Sequence, residues 1–87
     1  MVKLIALATA ILISVSVPAI ACENGHWIKN NIDRGRFIEL ENGSVWKINP
    51  IDRVTTSIWL PTTEITICDN MLVNTQDHEA VSATQLQ

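Results

Sequence analysis

The residues that could do chemistry are few in this chain of 87, and each set has an ordinary structural use as well. Glu39 and Glu41 lie two apart on one strand face, the arrangement in which paired carboxylates serve as general acid and base. Lys47 comes close to them across a hairpin, so an exposed charge pair worth under ~1 kcal/mol is the expected use. His26 and His78, with Asp77 and Glu79, could in principle ligate a metal, but they form no ligand spacing. Solvated histidines are expected and no metal or other cofactor is assigned. Asp52 and Arg53 read as helix cap and surface charge. Asn42-Gly43-Ser44 fits a glycosylation sequon and, equally, a turn. No Ser-His-Asp or Cys-His set is present, and pairing of Cys22 with Cys68 would remove both thiols as nucleophiles. A non-enzymatic protein is the expectation.

Three tryptophans and one phenylalanine are heavy for so short a chain. Large rings can build a thin core with their N–H groups reaching its edge, or line a binding groove. Trp46 and Trp27 are assigned to the core. Trp59 is the least secure core residue, because Ser57 and Pro61 share its strand face. Trp59 or Phe37 is therefore the aromatic expected to meet a ligand, together with Pro61 and Thr62 in the loop Leu60-Pro61-Thr62-Thr63.

The elements that must hold these residues begin after a leader. Met1-Val2-Lys3 is a short basic start and Leu4 to Val17 an apolar run, too short to serve comfortably as a permanent anchor. Pro18-Ala19-Ile20-Ala21 ends in the Ala-x-Ala pattern of signal-peptide cleavage. Residues 1–21 are predicted to be a signal peptide and 22–87 one small domain. The leader accounts for much of the 47% hydrophobic content. The remainder keeps nine acids against five bases, which gives phosphates nothing to bind and argues against nucleic acid. Membrane insertion after cleavage is not expected either.

An even cysteine count in an exported chain suggests a disulfide, Cys22 to Cys68. Such a bridge removes roughly 4 kcal/mol of unfolded-state freedom and would matter in a domain with a marginal core. The rival is lipidation at Cys22. Ala19-Ile20-Ala21-Cys22 is a poor lipobox, lacking Leu three residues before the cysteine, and it would strand Cys68. A periplasmic or secreted protein is preferred to one anchored through Cys22.

The centre of the domain is a hairpin over Arg36 to Ile48. Ile38 and Leu40 alternate with Glu39 and Glu41, and Trp46 and Ile48 with Val45 and Lys47, the period-2 mark of half-buried strands. A two-residue Asn42-Gly43 turn would mix the faces. A three-residue loop, Glu41-Asn42-Gly43, with Gly43 left-handed in a G1 bulge, sets Ile38 opposite Trp46 and Phe37 opposite Lys47. It sorts Ile38, Leu40, Trp46 and Ile48 onto one face. Before it, His26 to Lys29 reads as a strand and Asn30 to Gly35 as a turn. After it, Asn49 caps one helical turn near 50–54 with Pro50 at its first position. β-branched Val54, Thr55 and Thr56 then favour a strand to about Leu60. Glu64 to Cys68, Met71 to Val73 and Glu79 to Thr84 complete a set of five to seven short strands, joined by the Asp69-Asn70 turn and the polar Asn74 to His78 loop. An all-β SH3-like or OB-like barrel or sandwich follows.

The run Gly35 to Ile48, with Pro50-x-Asp52-Arg53, Trp59-Leu60-Pro61 and Leu72-Val73-Asn74-Thr75, resembles a group of small exported bacterial proteins. They share a Leu-Glu-Asp/Asn-Gly-Ser-x-Trp hairpin. The resemblance spans nearly all of residues 22–87 and implies export, an envelope setting and a compact β fold, with no catalytic residues to carry over. Size, export and the lack of a catalytic set favour an accessory module that binds another envelope protein. The alternative is an exported inhibitor blocking a hydrolase with the Leu60 to Thr63 loop, and a small hydrolase built on Glu39, Glu41 or His26 ranks last. Self-association through an open sheet edge is a further expectation to test.

Overall fold

The computed structural model describes residues 22–87; the leader reading of residues 1–21 lies outside them. Six antiparallel strands close into a barrel in the order β1-β2-β3-β6-β5-β4. They are β1 (Glu23–Ile32), β2 (Phe37–Leu40), β3 (Val45–Ile48), β4 (Glu64–Cys68), β5 (Met71–Asn74) and β6 (Glu79–Gln85). A 3₁₀ turn, Pro50–Asp52, runs into the short helix α1 (Arg53–Thr56) between β3 and β4. Each strand has a hydrogen-bonded neighbour on either side in the barrel order, β4 closing back onto β1.

The central hairpin has the expected register, with Phe37 opposite Lys47 and Ile38 opposite Trp46. Leu40 N–H donates to Ser44 O at 2.9 Å and Gly43 N–H to Leu40 O at 3.0 Å, enclosing the three-residue loop. Gly43 has φ 87°, the left-handed value that the bulge requires. Ile38, Leu40, Trp46 and Ile48 are all buried. The Asn42 carboxamide oxygen accepts from Ser44 N–H at 3.0 Å and from its hydroxyl, and Ser44 Oγ in turn accepts from Trp46 Nε1 at 3.0 Å. The turn sequence thus also satisfies the buried indole.

β1 departs furthest from expectation, running ten residues instead of four. Its first half pairs with β4 and its second with β2, and irregularities near Gly25 and Lys29 bend it between the two. Those bends break the alternation that sequence reading depends on. The bulge carries Asn31 inward, where its side chain donates to Thr56 O and Trp59 O, both at 2.8 Å, and accepts from Gly35 N–H at 2.7 Å. A polar residue at an inward position hid this half of the strand.

The strand expected over residues 55–60 is not formed. Asn49 caps the 3₁₀ turn as expected, accepting from Ile51 N–H at 3.1 Å, but the helix continues to Thr56. In the closed barrel, β1 and β4 already pair with each other, and the segment has no strand to join. Thr56 is fully buried and its hydroxyl donates to Gly35 O at 2.7 Å, 21 residues away, so tertiary bonding overrides β propensity. The chain then turns and inserts Trp59 into the core beside Ile28, Ile38, Leu40, Trp46, Ile48, Ile65, Leu72, Val81 and Ala83. A disulfide joins Cys22 to Cys68, tying the start of β1 to the end of β4 with Cα atoms 4.4 Å apart.

Candidate functional site

Residues 27 and 28 of β1 hold the two loops that carry the exposed surface features. On one side, Trp27 N–H donates to Glu41 Oε1 at 3.0 Å and Glu41 N–H donates to Trp27 O at 3.0 Å, so the hairpin tip is clasped to β1. On the other, Ile28 N–H donates to Thr63 O at 3.0 Å and Thr62 N–H to Ile28 O at 2.7 Å. Leu60 to Thr63 is a type II turn closed by Thr63 N–H to Leu60 O at 3.2 Å, with Pro61 in the second position. Thr62 occupies the position normally given to glycine, at φ 72°. A β-branched residue there is a genuine outlier, costing on the order of 1–3 kcal/mol and held only because its surroundings fix it.

The structure brings Pro61 and Thr62 together at the surface, as the sequence reading had them, but with a different tryptophan. Trp59 is only 3% exposed, and its Nε1 donates to Glu79 Oε1 at 2.8 Å. It has no free ring face and is removed from the candidate ligand-binding residues. Trp27, assigned to the core from sequence, is 48% exposed. The correction follows from parity: Ile28 points inward, so its neighbour on a strand must point out. Phe37 is half-buried at the start of β2, opposite Lys47. Among the described residues it does not line the cleft formed by Gly25, His26, Trp27, Thr62 and Glu64, which measures about 500 Å³.

The expected pairing of Glu39 and Glu41 with Lys47 is also replaced. Glu39 accepts from Asn30 Nδ2 at 2.8 Å. Glu41 reaches back to His26, whose Nδ1 donates to Glu41 Oε2 at 2.8 Å while Nε2 faces Glu23 Oε1 at 3.3 Å. The His26 and Glu41 side chains are 15% and 20% exposed, so His26 is not the solvated residue expected from sequence. The Glu41 carboxylate raises the His26 pKa above its ordinary 6.5, outweighing partial burial, and Glu23 adds to the effect. For Glu41, burial pushes upward, but the Trp27 N–H and His26 hold its pKa below the ordinary 4.5. The pair clamps the hairpin tip to β1. His78, with φ 57°, sits in the loop after β5. Among the described residues, no three His, Cys, Asp or Glu side chains are placed to hold a metal ion.

The largest exposed apolar side chains outside the cleft cluster in one segment. Ile51, Val54, Ile58 and Leu60 are 80, 78, 73 and 69% exposed. Ile51 lies in the 3₁₀ turn, Val54 in α1 and Ile58 in the turn that follows α1, and Leu60 opens the strained turn. Ile58 and Leu60 flank the buried Trp59 and lie at the surface. Comparison of the chain with protein-family models, with curated proteins and with solved structures finds no match.

Proposed function

We infer that the protein is an exported, non-catalytic module that binds another protein of the cell envelope through the surface from Ile51 to Thr62. The observation that carries this is the set of four aliphatic side chains, each more than two-thirds exposed, within ten residues of one another. A domain this small has little apolar material to spare, and grouped exposed aliphatics mark contact surfaces. Their backbone is fixed at several points: Asn31 holds Thr56 and Trp59, and Ile28 holds Thr62 and Thr63. A rigid apolar surface binds with little ordering cost. The disulfide suits an oxidising, extracytoplasmic setting, and the Ala-x-Ala leader agrees with it.

The strained turn favours a second reading. Thr62 at φ 72° between Pro61 and a doubly bonded Thr63 makes a stiff protrusion of the kind that could block a hydrolase cleft. Co-purification from cells separates the readings. Ile58→Ser with Leu60→Ser should abolish recovery of a stoichiometric partner while leaving thermal unfolding unchanged. If the partner is a hydrolase inhibited by the wild-type protein and released by Pro61→Ala alone, the inhibitor reading replaces the accessory one. Recovery that is indifferent to all three substitutions would remove both.

A further inference from the structure

We propose that the cleft between Trp27 and Glu64 is a receptor for an arginine side chain of the partner protein. It deepens the protein-binding reading by naming one chemical feature of the partner. Trp27 on β1 and Glu64 on β4 are directly opposite in the antiparallel register, and both side chains are exposed on the outer face of the barrel. An indole face and a carboxylate therefore stand side by side, and Thr62 and Gly25 flank them in the cleft of about 500 Å³. Gly25 leaves the floor open, since a Cβ built there meets nothing within 4 Å.

The charges in the cleft select the guest. No lysine or arginine lines it. The positive charge of His26 is matched by Glu41 and Glu23, both within hydrogen-bond reach. Among the described residues, the Glu64 carboxylate accepts no hydrogen bond and forms no ion pair, while its backbone N–H donates to Gln76 Oε1 at 3.2 Å. The cleft thus offers an aromatic face and an unmatched negative charge to a cation. A planar guanidinium satisfies both at once, stacking on the indole while its paired N–H groups meet the carboxylate. An ammonium can do only one of these well.

The test uses the oxidised protein and N-acetyl-arginine amide, followed by two-dimensional amide NMR and tryptophan fluorescence at low salt. N-acetyl-citrulline amide, the neutral isostere, and methyl glucoside are run alongside. Saturable shifts of the Trp27 indole N–H, Gly25 and Thr62 with the arginine probe, weakened about fivefold or more in Glu64→Gln and absent in Trp27→Ala, are expected. Citrulline should bind at least about fivefold more weakly. Equal binding of citrulline, saturation by the glucoside at the same residues, or no saturable shift with arginine would each overturn the assignment. Because the probe replaces the natural partner, failure here leaves the apolar contact surface to its own capture experiment. Trp27 is a surface residue, and the amide spectrum of Trp27→Ala reports directly on its folding; Glu64→Gln provides an independent variant.

Discussion

Glycine and threonine at left-handed positions set the residue-scale tolerances. Gly35 has φ 85°, and a side chain there would run into Thr56 Oγ1 and come within 2.6 Å of Ser57 N. Gly43 has φ 87° with open space around it. Gly35→Ala is therefore expected to cost about 3 kcal/mol or more and Gly43→Ala only about 1–2, measured by urea unfolding. Thr62→Gly should raise stability by roughly 1 kcal/mol through relief of the turn. If the same variant weakens partner binding, the strain serves the surface. The tryptophans make a second pair: Trp59→Ala is expected to cost about 3–5 kcal/mol, and Trp27→Ala to leave the fold intact.

At the scale of elements, the clasp between β1 and the hairpin tip makes stability depend on pH. His26 is raised, so its contribution is fully present below about pH 6.5 and fades as pH rises through its folded value. Glu41 is lowered, so its contribution is present above about pH 4.5 and fades as pH falls through its folded value. The clasp is strongest between the two. Thermal unfolding of wild type should fall from pH 6 to pH 8.5 relative to His26→Gln, which lacks the titrating group. A constant difference between the two over that range would show that the ring contributes only by packing. The hairpin itself was legible because two clean alternations admitted one register that kept four apolar residues together. β1 was not, because bulges and a change of partner erased its period. Residues 55–60 misled for a related reason: β-branched side chains mark a strand only where a neighbouring strand is available. The loop at Pro61 and Thr62 could be found from Pro61 alone, but its partner Trp27 needed the inward direction of Ile28.

For the whole molecule, ten buried apolar residues, a closed sheet and one disulfide hold the described chain together. The bridge joins residues 46 apart in sequence and staples β1 to β4, the seam beside which the cleft lies. Replacing both cysteines by serine should lower stability by about 2–4 kcal/mol, seen as a fall in Tm of roughly 10–30 °C. The cysteine pair and the all-β class were both readable from sequence, the first from an even count and the second from evenly spaced short strands. The proposed contact surface was readable only in part. Asn49 and Pro50 announce the helical turn that carries Ile51 and Val54, but the helix's continuation to Thr56 and the turn at Ile58 stand where β-branched residues suggested a strand. The most direct measurement is site-specific photocrosslinking in cells, with the reactive side chain placed at Ile58, at Leu60 and, as a control, at exposed Thr75 in the loop after β5. The expected result is one discrete adduct from Ile58 and Leu60, identical by mass spectrometry and absent from Thr75. Equal crosslinking from all three positions, or none from the first two, would contradict a partner bound on the Ile51 to Thr62 surface.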